Sequence, residues 1–179
     1  MVKRRTPLMR IGQAVSSILD PGVLLHPFRM IHYYGYSHVK PLREATLGRD
    51  VRIAPNVSLR NGERIAIGDQ AQIGEYTALW AGRETAWIRI GARTTFGPHC
   101  YVTAADYGLA AGTPVTDQPM RERDVTIGED CWIGTKAVIT AGVTLGEGCI
   151  IGAGSVVTQD VPAWAIAAGV PARVLRMRE

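Results

Sequence analysis

From Ile127 onward the chain places a branched aliphatic residue at every sixth position: Ile127, Ile133, Ile139, Leu145, Ile151 and Val157. A helix repeats its buried face every 3.6 residues or so and a half-buried strand every second residue, so an undrifting period of six belongs to neither. Four residues after each aliphatic stands a small or β-branched one: Cys131, Ala137, Val143, Cys149, Ser155 and Val161. Each hexapeptide therefore offers two inward positions, enough to fill a narrow prism. Gly directly follows Ile127, Ile133, Leu145 and Ile151. Glycine is expected at tight corners because it tolerates backbone angles other residues resist, and β-branched residues suit the straight edges. The pattern predicts a parallel β-helix of hexapeptides.

Upstream the same rule runs through Leu47, Ile53, Leu59; Ile67, Ile73, Leu79; and Ile90, Phe96, Val102. Beyond the regular step of six, 2 extra residues follow Leu59, 5 follow Leu79 and 19 follow Val102. Every break comes after a third hexapeptide, so three hexapeptides make one turn and the third corner carries the loops. The residue after the key aliphatic is Gly or Ala on most of the first two edges, but Arg60, Trp80, Thr103, Thr140 and Thr158 on the third. Stacked coils would align these five in a column at the strand spacing of about 4.8 Å. They are either plain surface or one wall of a site, since loops on one face of a repeat array often form its binding face. The long excursion, residues 104–124, exceeds what a turn needs and is expected to project as an arm.

Ahead of the coil, residues 1–45 form a helical and irregular cap. Leu8, Ile11, Val15, Ile18 and Leu19 share one helix face over 7–19, with Pro7 in the first turn and Asp20-Pro21-Gly22 as a stop. Packing on the coil or on another subunit is the favoured role. Contact with an anionic membrane surface through Lys3, Arg4, Arg5 and Arg10 is the lesser reading. Residues 23–39, rich in aromatics and holding His26, His32 and His38, are expected to cover the first coil's open edge. The coil spans 46–162, and 163–179 closes the other end. The fold class is thus all-β, a parallel β-helix between two caps.

Charge adds little: 20 Lys and Arg against 16 Asp and Glu give +4, with no basic run that would suggest nucleic acid. Cys100, Cys131 and Cys149 occupy inward positions and read as core packing, with no metal spacing. No apolar run approaches the ~20 residues of a membrane span, and no secretion signal is evident. A cytoplasmic location, at most peripheral to the inner face of a membrane, is expected.

The repeats IGDQAQIG, IGEDCWIG and LGEGCIIGAGSVV and the closing AAGVPARVLR resemble the left-handed β-helix, hexapeptide-repeat acyltransferases, which include galactoside, maltose and serine O-acetyltransferases. The resemblance implies a left-handed coil, a homotrimer with active sites between subunits, acetyl-coenzyme A as donor, a sugar or polysaccharide-precursor hydroxyl as acceptor, and no metal. By position in the matching motifs, Trp132, Thr135, Ala153, Thr158, Arg173 and Arg176 are implied to line the pantetheine groove or meet the coenzyme phosphates. Gln159 stands where such enzymes often carry Lys.

Acetyl transfer to a hydroxyl needs a general base and a donor to the developing oxyanion. The resembled enzymes use a histidine at the start of the long loop, where this chain reads Thr103-Ala104-Ala105-Asp106-Tyr107-Gly108. The substitutes are His99, at an outward position one hexapeptide ahead, and the pair Asp106 and Tyr107. They rank equally on sequence. The missing histidine also keeps a rival open: a non-catalytic trimeric scaffold that retains the coenzyme groove. A carbonic anhydrase of this coil type would need three zinc-binding histidines, and the coil holds only His99.

Overall fold

The computed structural model describes residues 7–179. Three parallel ladders form the faces of a prism of about five turns. The first face stacks Thr46–Leu47, Ile65–Ile67, Ile88–Ile90, Val125–Ile127 and Thr144–Leu145. The second stacks Arg52–Ile53, Gln72–Ile73, Thr95–Phe96, Trp132–Ile133 and Ile150–Ile151; the third stacks Ser58–Arg60, Ala78–Trp80, Tyr101–Thr103, Val138–Ile139 and Val156–Val157. This is the β-helix expected from the period of six, and the register matches it residue by residue. Ile67 pairs with Ile90 and Ile90 with Ile127; Phe96 pairs with Ile133 and Ile133 with Ile151; Val102 pairs with Ile139 and Ile139 with Val157.

Ile127, Ile133, Ile139, Leu145, Ile151 and Val157 are each at most 1% exposed. Removing such side chains from water is worth roughly 1.5–3 kcal/mol apiece, and the repeated aliphatic ladder concentrates that gain on one axis. The four-residue offset fills the remaining interior with Cys100, Cys131, Ala137, Val143 and Cys149. The three cysteines are free and buried, as expected, and the Cys131 and Cys149 sulfurs stack 3.6 Å apart on successive coils.

The glycines have a different role from the one expected. Those after the key aliphatics do not carry the corner's left-handed backbone angle. That angle falls three residues after the aliphatic, on Gln70, Tyr76, Arg93, His99, Asp130 and Lys136, and on Gly142, Gly148 and Gly154. What Gly68, Gly97 and Gly134 supply is clearance: a Cβ there would lie 2.6, 2.7 and 2.6 Å from the backbone nitrogens of Ala92, Thr135 and Ala153 on the next coil. Coil stacking, not corner geometry, demands these residues.

Residues Met1–Tyr36 and Ser37–Glu179 form two compact units. In the first, α1 (Pro7–Ile18) follows the predicted helix. A second helix, α2 (Pro21–Tyr34), was not anticipated. Asp20-Pro21-Gly22 starts that helix as well as ending the first: the Asp20 carboxylate accepts from the Gly22 N–H at 2.6 Å as an N-cap, and Pro21 occupies the first turn. None of the described residues of α2 is buried, and His26 and His32 lie exposed on it. No described helix is long and apolar enough to cross a membrane.

In the larger unit, α3 (Lys40–Glu44) lies against the first coil, where Leu42 and Ala45 pack on the core. His38 is buried and its Nδ1 donates to the Val57 carbonyl at 2.8 Å, a structural bond rather than a catalytic one. At the far end Ala165–Gly169 extends the second face by pairing Ile166 with Ile150, and Ala172–Met177 folds back on it antiparallel.

Candidate functional site

Two clusters of the expected residues form, on different corners of the prism. The first lies where the second face turns into the third. Here Gly97-Pro98-His99, Gly134-Thr135-Lys136 and Gly152-Ala153-Gly154 stack on successive coils, linked by the Thr135 hydroxyl donating to the Pro98 carbonyl at 2.7 Å and the Gly154 N–H to the Thr135 carbonyl at 2.8 Å. His99 takes the left-handed corner position with φ 59° and stacks on Tyr76, ring centroids 4.9 Å apart. Trp132 is exposed on the adjoining face and shares an outward column with Ile150, Ile166 and Arg176 through successive strand pairs. Arg173 pairs opposite Ala168 on the closing hairpin. Small residues at the corner, an exposed indole and two exposed guanidiniums thus adjoin one another. Such a strip can lay an extended chain along the coil and meet phosphates at one end. Thr158 stands apart, on the third corner.

The second cluster is built on that third corner, where the loops depart. Arg60, Trp80 and Thr103 stack in register, as the sequence column requires. With Asn61, Arg83, Tyr101, Tyr107 and Met120 they line a cleft of about 340 Å³. The excursion from Ala104 is closed at its base by Ala105–Asp106 pairing antiparallel with Arg121–Glu122. Ala104 takes the inward position, wholly buried, and Asp106 turns outward, where its carboxylate accepts from Arg123 at 3.3 Å. Tyr107 is 52% exposed and also borders a second cleft, shared with Asp106, Leu109, Arg121 and Arg123. His99 lines neither of these clefts, so the structure separates it from Asp106 and Tyr107. Among the described residues no group of three metal-ligating side chains forms.

The arm is tied down by a residue the sequence reading missed. The Glu122 carboxylate accepts from the backbone N–H groups of Arg83, Glu84, Thr85 and Ala86 and from the Thr85 hydroxyl, at 2.6–3.2 Å. Its partial burial acts to raise its pKa, but the donors from Thr85, Ala86 and Glu84 outweigh that and bring it down to about 2. A depressed folded-state pKa means that the contact stabilises fully above the ordinary carboxylate value and is lost as pH falls toward about 2. Glu122→Gln should therefore speed proteolytic cutting within 104–124 at neutral pH, and acid should speed the cutting of the wild-type chain by a pepsin-like protease. Equal cutting of variant and wild type would show that the nest does not hold the arm. No spacing in the sequence announces this nest, because its donors are backbone groups of a separate loop.

The second half of the coil, residues 124–159, matches the family model described as bacterial transferase hexapeptide (six repeats). The chain is 32% identical to the galactoside O-acetyltransferase of Escherichia coli K12, over 96% of this chain and 88% of that protein. It belongs to the hexapeptide-repeat acetyltransferases. A probable acetyltransferase of Mycobacterium tuberculosis is 32% identical over 79% of this chain, which spans only 47% of that relative's length. Among solved structures, the maltose O-acetyltransferase of Clostridium difficile 630 superposes with a TM-score of 0.68 at 29% identity, covering 75% of this chain and 70% of that one. The hexapeptide-repeat acetyltransferase fold and the two corner clusters now stand together.

Proposed function

We propose that the protein transfers the acetyl group of acetyl-coenzyme A to a sugar hydroxyl, in a site completed between copies of the chain in a homotrimer. The observation that carries this reading is the division of the expected residues between two corners. Thr135, Ala153, Trp132, Arg173 and Arg176 form a strip suited to the coenzyme on one corner and its adjoining face. Asp106, Tyr107 and the aromatic cleft that would take the acceptor stand on another. One chain does not unite them, whereas a neighbour's corner set against its own would. The galactoside and maltose O-acetyltransferases among the similar proteins support a sugar acceptor and an oxygen nucleophile.

The strip also fits the donor on its own terms. The exposed Ala153 and Gly154 leave the backbone open to close approach, and the exposed Arg173 and Arg176 offer charge-assisted hydrogen bonds to phosphate. On the acceptor side, Asp106 receives the hydroxyl proton as the sugar oxygen bonds to the thioester carbonyl carbon. The C–S bond then breaks, and the coenzyme leaves as a thiolate that takes up a proton. Arg123 holds the Asp106 carboxylate in place. Tyr107, bordering both clefts, orients the hydroxyl. His99 sits with the coenzyme strip and serves the thioester side.

The test is calorimetric titration with acetyl-coenzyme A, light scattering for the trimer, and thiol release over a panel of sugars. Binding with sugar-dependent thiol release from a trimer is expected. Binding without release from any sugar favours the non-catalytic scaffold, and no binding removes the coenzyme assignment.

A further inference from the structure

The aromatic cleft holds two guanidiniums that form no ion pair with any described residue. Several other arginines meet carboxylates: Arg49 with Asp69, Arg89 with Asp124, Arg93 with Glu129, Arg178 with Asp130. Arg60 and Arg83 line the cleft and have no carboxylate partner among the described residues, and no Asp or Glu lines it. Glu84 and Glu122 border a neighbouring cleft with Arg83, but neither pairs with its guanidinium, and the Glu122 oxygens are taken up by backbone and hydroxyl donors. Arg60 is fixed rather than loose. Its guanidinium carbon lies 3.7 Å over the Trp80 ring, and Trp80 is itself held by Tyr101 edge-on at 5.2 Å and by its Nε1–H donating to Ser58 Oγ at 3.2 Å. A guanidinium held over an indole face can still present N–H donors to an oxyanion.

We propose that the acceptor carries an oxyanion, phosphate or carboxylate, on or next to its sugar, and that Arg60 and Arg83 bind it beside Trp80. This rests on the reading of the cleft as the acceptor side of an acetyltransferase. It narrows the acceptor from sugars in general to charged ones, such as a sugar phosphate or a uronic acid. Neutral galactose would leave both guanidiniums without a partner.

The test titrates the full-length, coenzyme A-loaded protein with galactose, galactose 1-phosphate, galacturonate and inorganic pyrophosphate. At least one charged probe should bind tenfold or more tightly than galactose, and the two charged sugars separate a phosphate from a carboxylate preference. Arg60→Ala and Arg83→Ala should each weaken the charged probe by about tenfold, the worth of one charge-assisted contact, while leaving acetyl-coenzyme A affinity and the melting temperature unchanged. Arg60→Lys, which keeps the charge but not the flat fork, should recover only part of the loss. The proposal is overturned if no charged probe outbinds galactose, or if the arginine variants leave that preference intact. It is also overturned if they weaken acetyl-coenzyme A instead, which would assign the charges to the coenzyme. Failure of acetyl-coenzyme A binding in the wild type would count against the transferase reading, and the charge preference is read separately from it.

Discussion

Asp106→Asn should lower acetyl transfer by between about 100- and 10,000-fold, the range for loss of a positioned general base, with acetyl-coenzyme A affinity unchanged. The amide keeps the size of the side chain and a hydrogen-bonding oxygen, so the short ladder at the base of the arm has no reason to open. It cannot take up the hydroxyl proton. Tyr107→Phe should cost less, because it removes one orienting hydroxyl. His99→Ala should cost less than tenfold in turnover and show its effect in the coenzyme's Michaelis constant, since His99 stacks on Tyr76 beside the Pro98–Thr135 corner. Full-length variants assayed for thiol release over a range of donor concentrations would decide. A collapse of turnover in His99→Ala with Asp106→Asn near normal would transfer the base to the coenzyme corner and reverse the assignment. The assignment rests on position: Asp106 borders a cleft with Tyr107, and its carboxylate pairs with Arg123.

The parts of this protein that were legible in its sequence are those written in a period. The aliphatic ladder, the inward cysteines, the three-hexapeptide turn and the Arg60–Trp80–Thr103 column all follow from counting, because a solenoid makes residues at a fixed spacing into neighbours. What escaped lies outside the period. Asp106 meets Arg123 across the arm, and Glu122 meets the loop at 83–86 across 36 to 39 residues, contacts that depend on where irregular backbone doubles back. The Arg60–Trp80 stack fell within the predicted column, but the chemistry of a cation pressed on an indole emerged only once their side chains were placed. Asp20-Pro21-Gly22 was read by its helix-stopping residues alone, although an Asp before Pro is equally a starting signal. Both uses are present in one tripeptide.

The glycines were located correctly and explained wrongly, and a pair of substitutions tests the explanation by coil clearance. If corner angles were the reason, Gly134 would itself take a positive φ, and the left-handed corner position at Lys136 would tolerate no side chain. The structure shows neither. Gly134 does not have a positive φ, yet an added Cβ would sit 2.6 Å from the Ala153 nitrogen and 2.7 Å from the Ile151 carbonyl oxygen, both backbone atoms of the next coil that cannot swing aside. Relief requires the two coils to part, straining the ladder in which Ile133 pairs with Ile151. Gly134→Ala should therefore destabilise by roughly 1–3 kcal/mol, as overpacked sites do, lowering the melting temperature by several degrees in a chain of this size. Lys136 holds the left-handed corner at φ 59° with its side chain exposed, so Lys136→Gly should be neutral or slightly stabilising. Thermal melts of the two variants read the sign directly. A Gly134→Ala variant as stable as the wild type would show that the coils can separate by the width of a methyl group without loss and would remove the clearance explanation. The expected order instead makes the second face's glycines the residues that set the coil spacing, and with it the stacking of Pro98, Thr135 and Ala153 along the coenzyme strip.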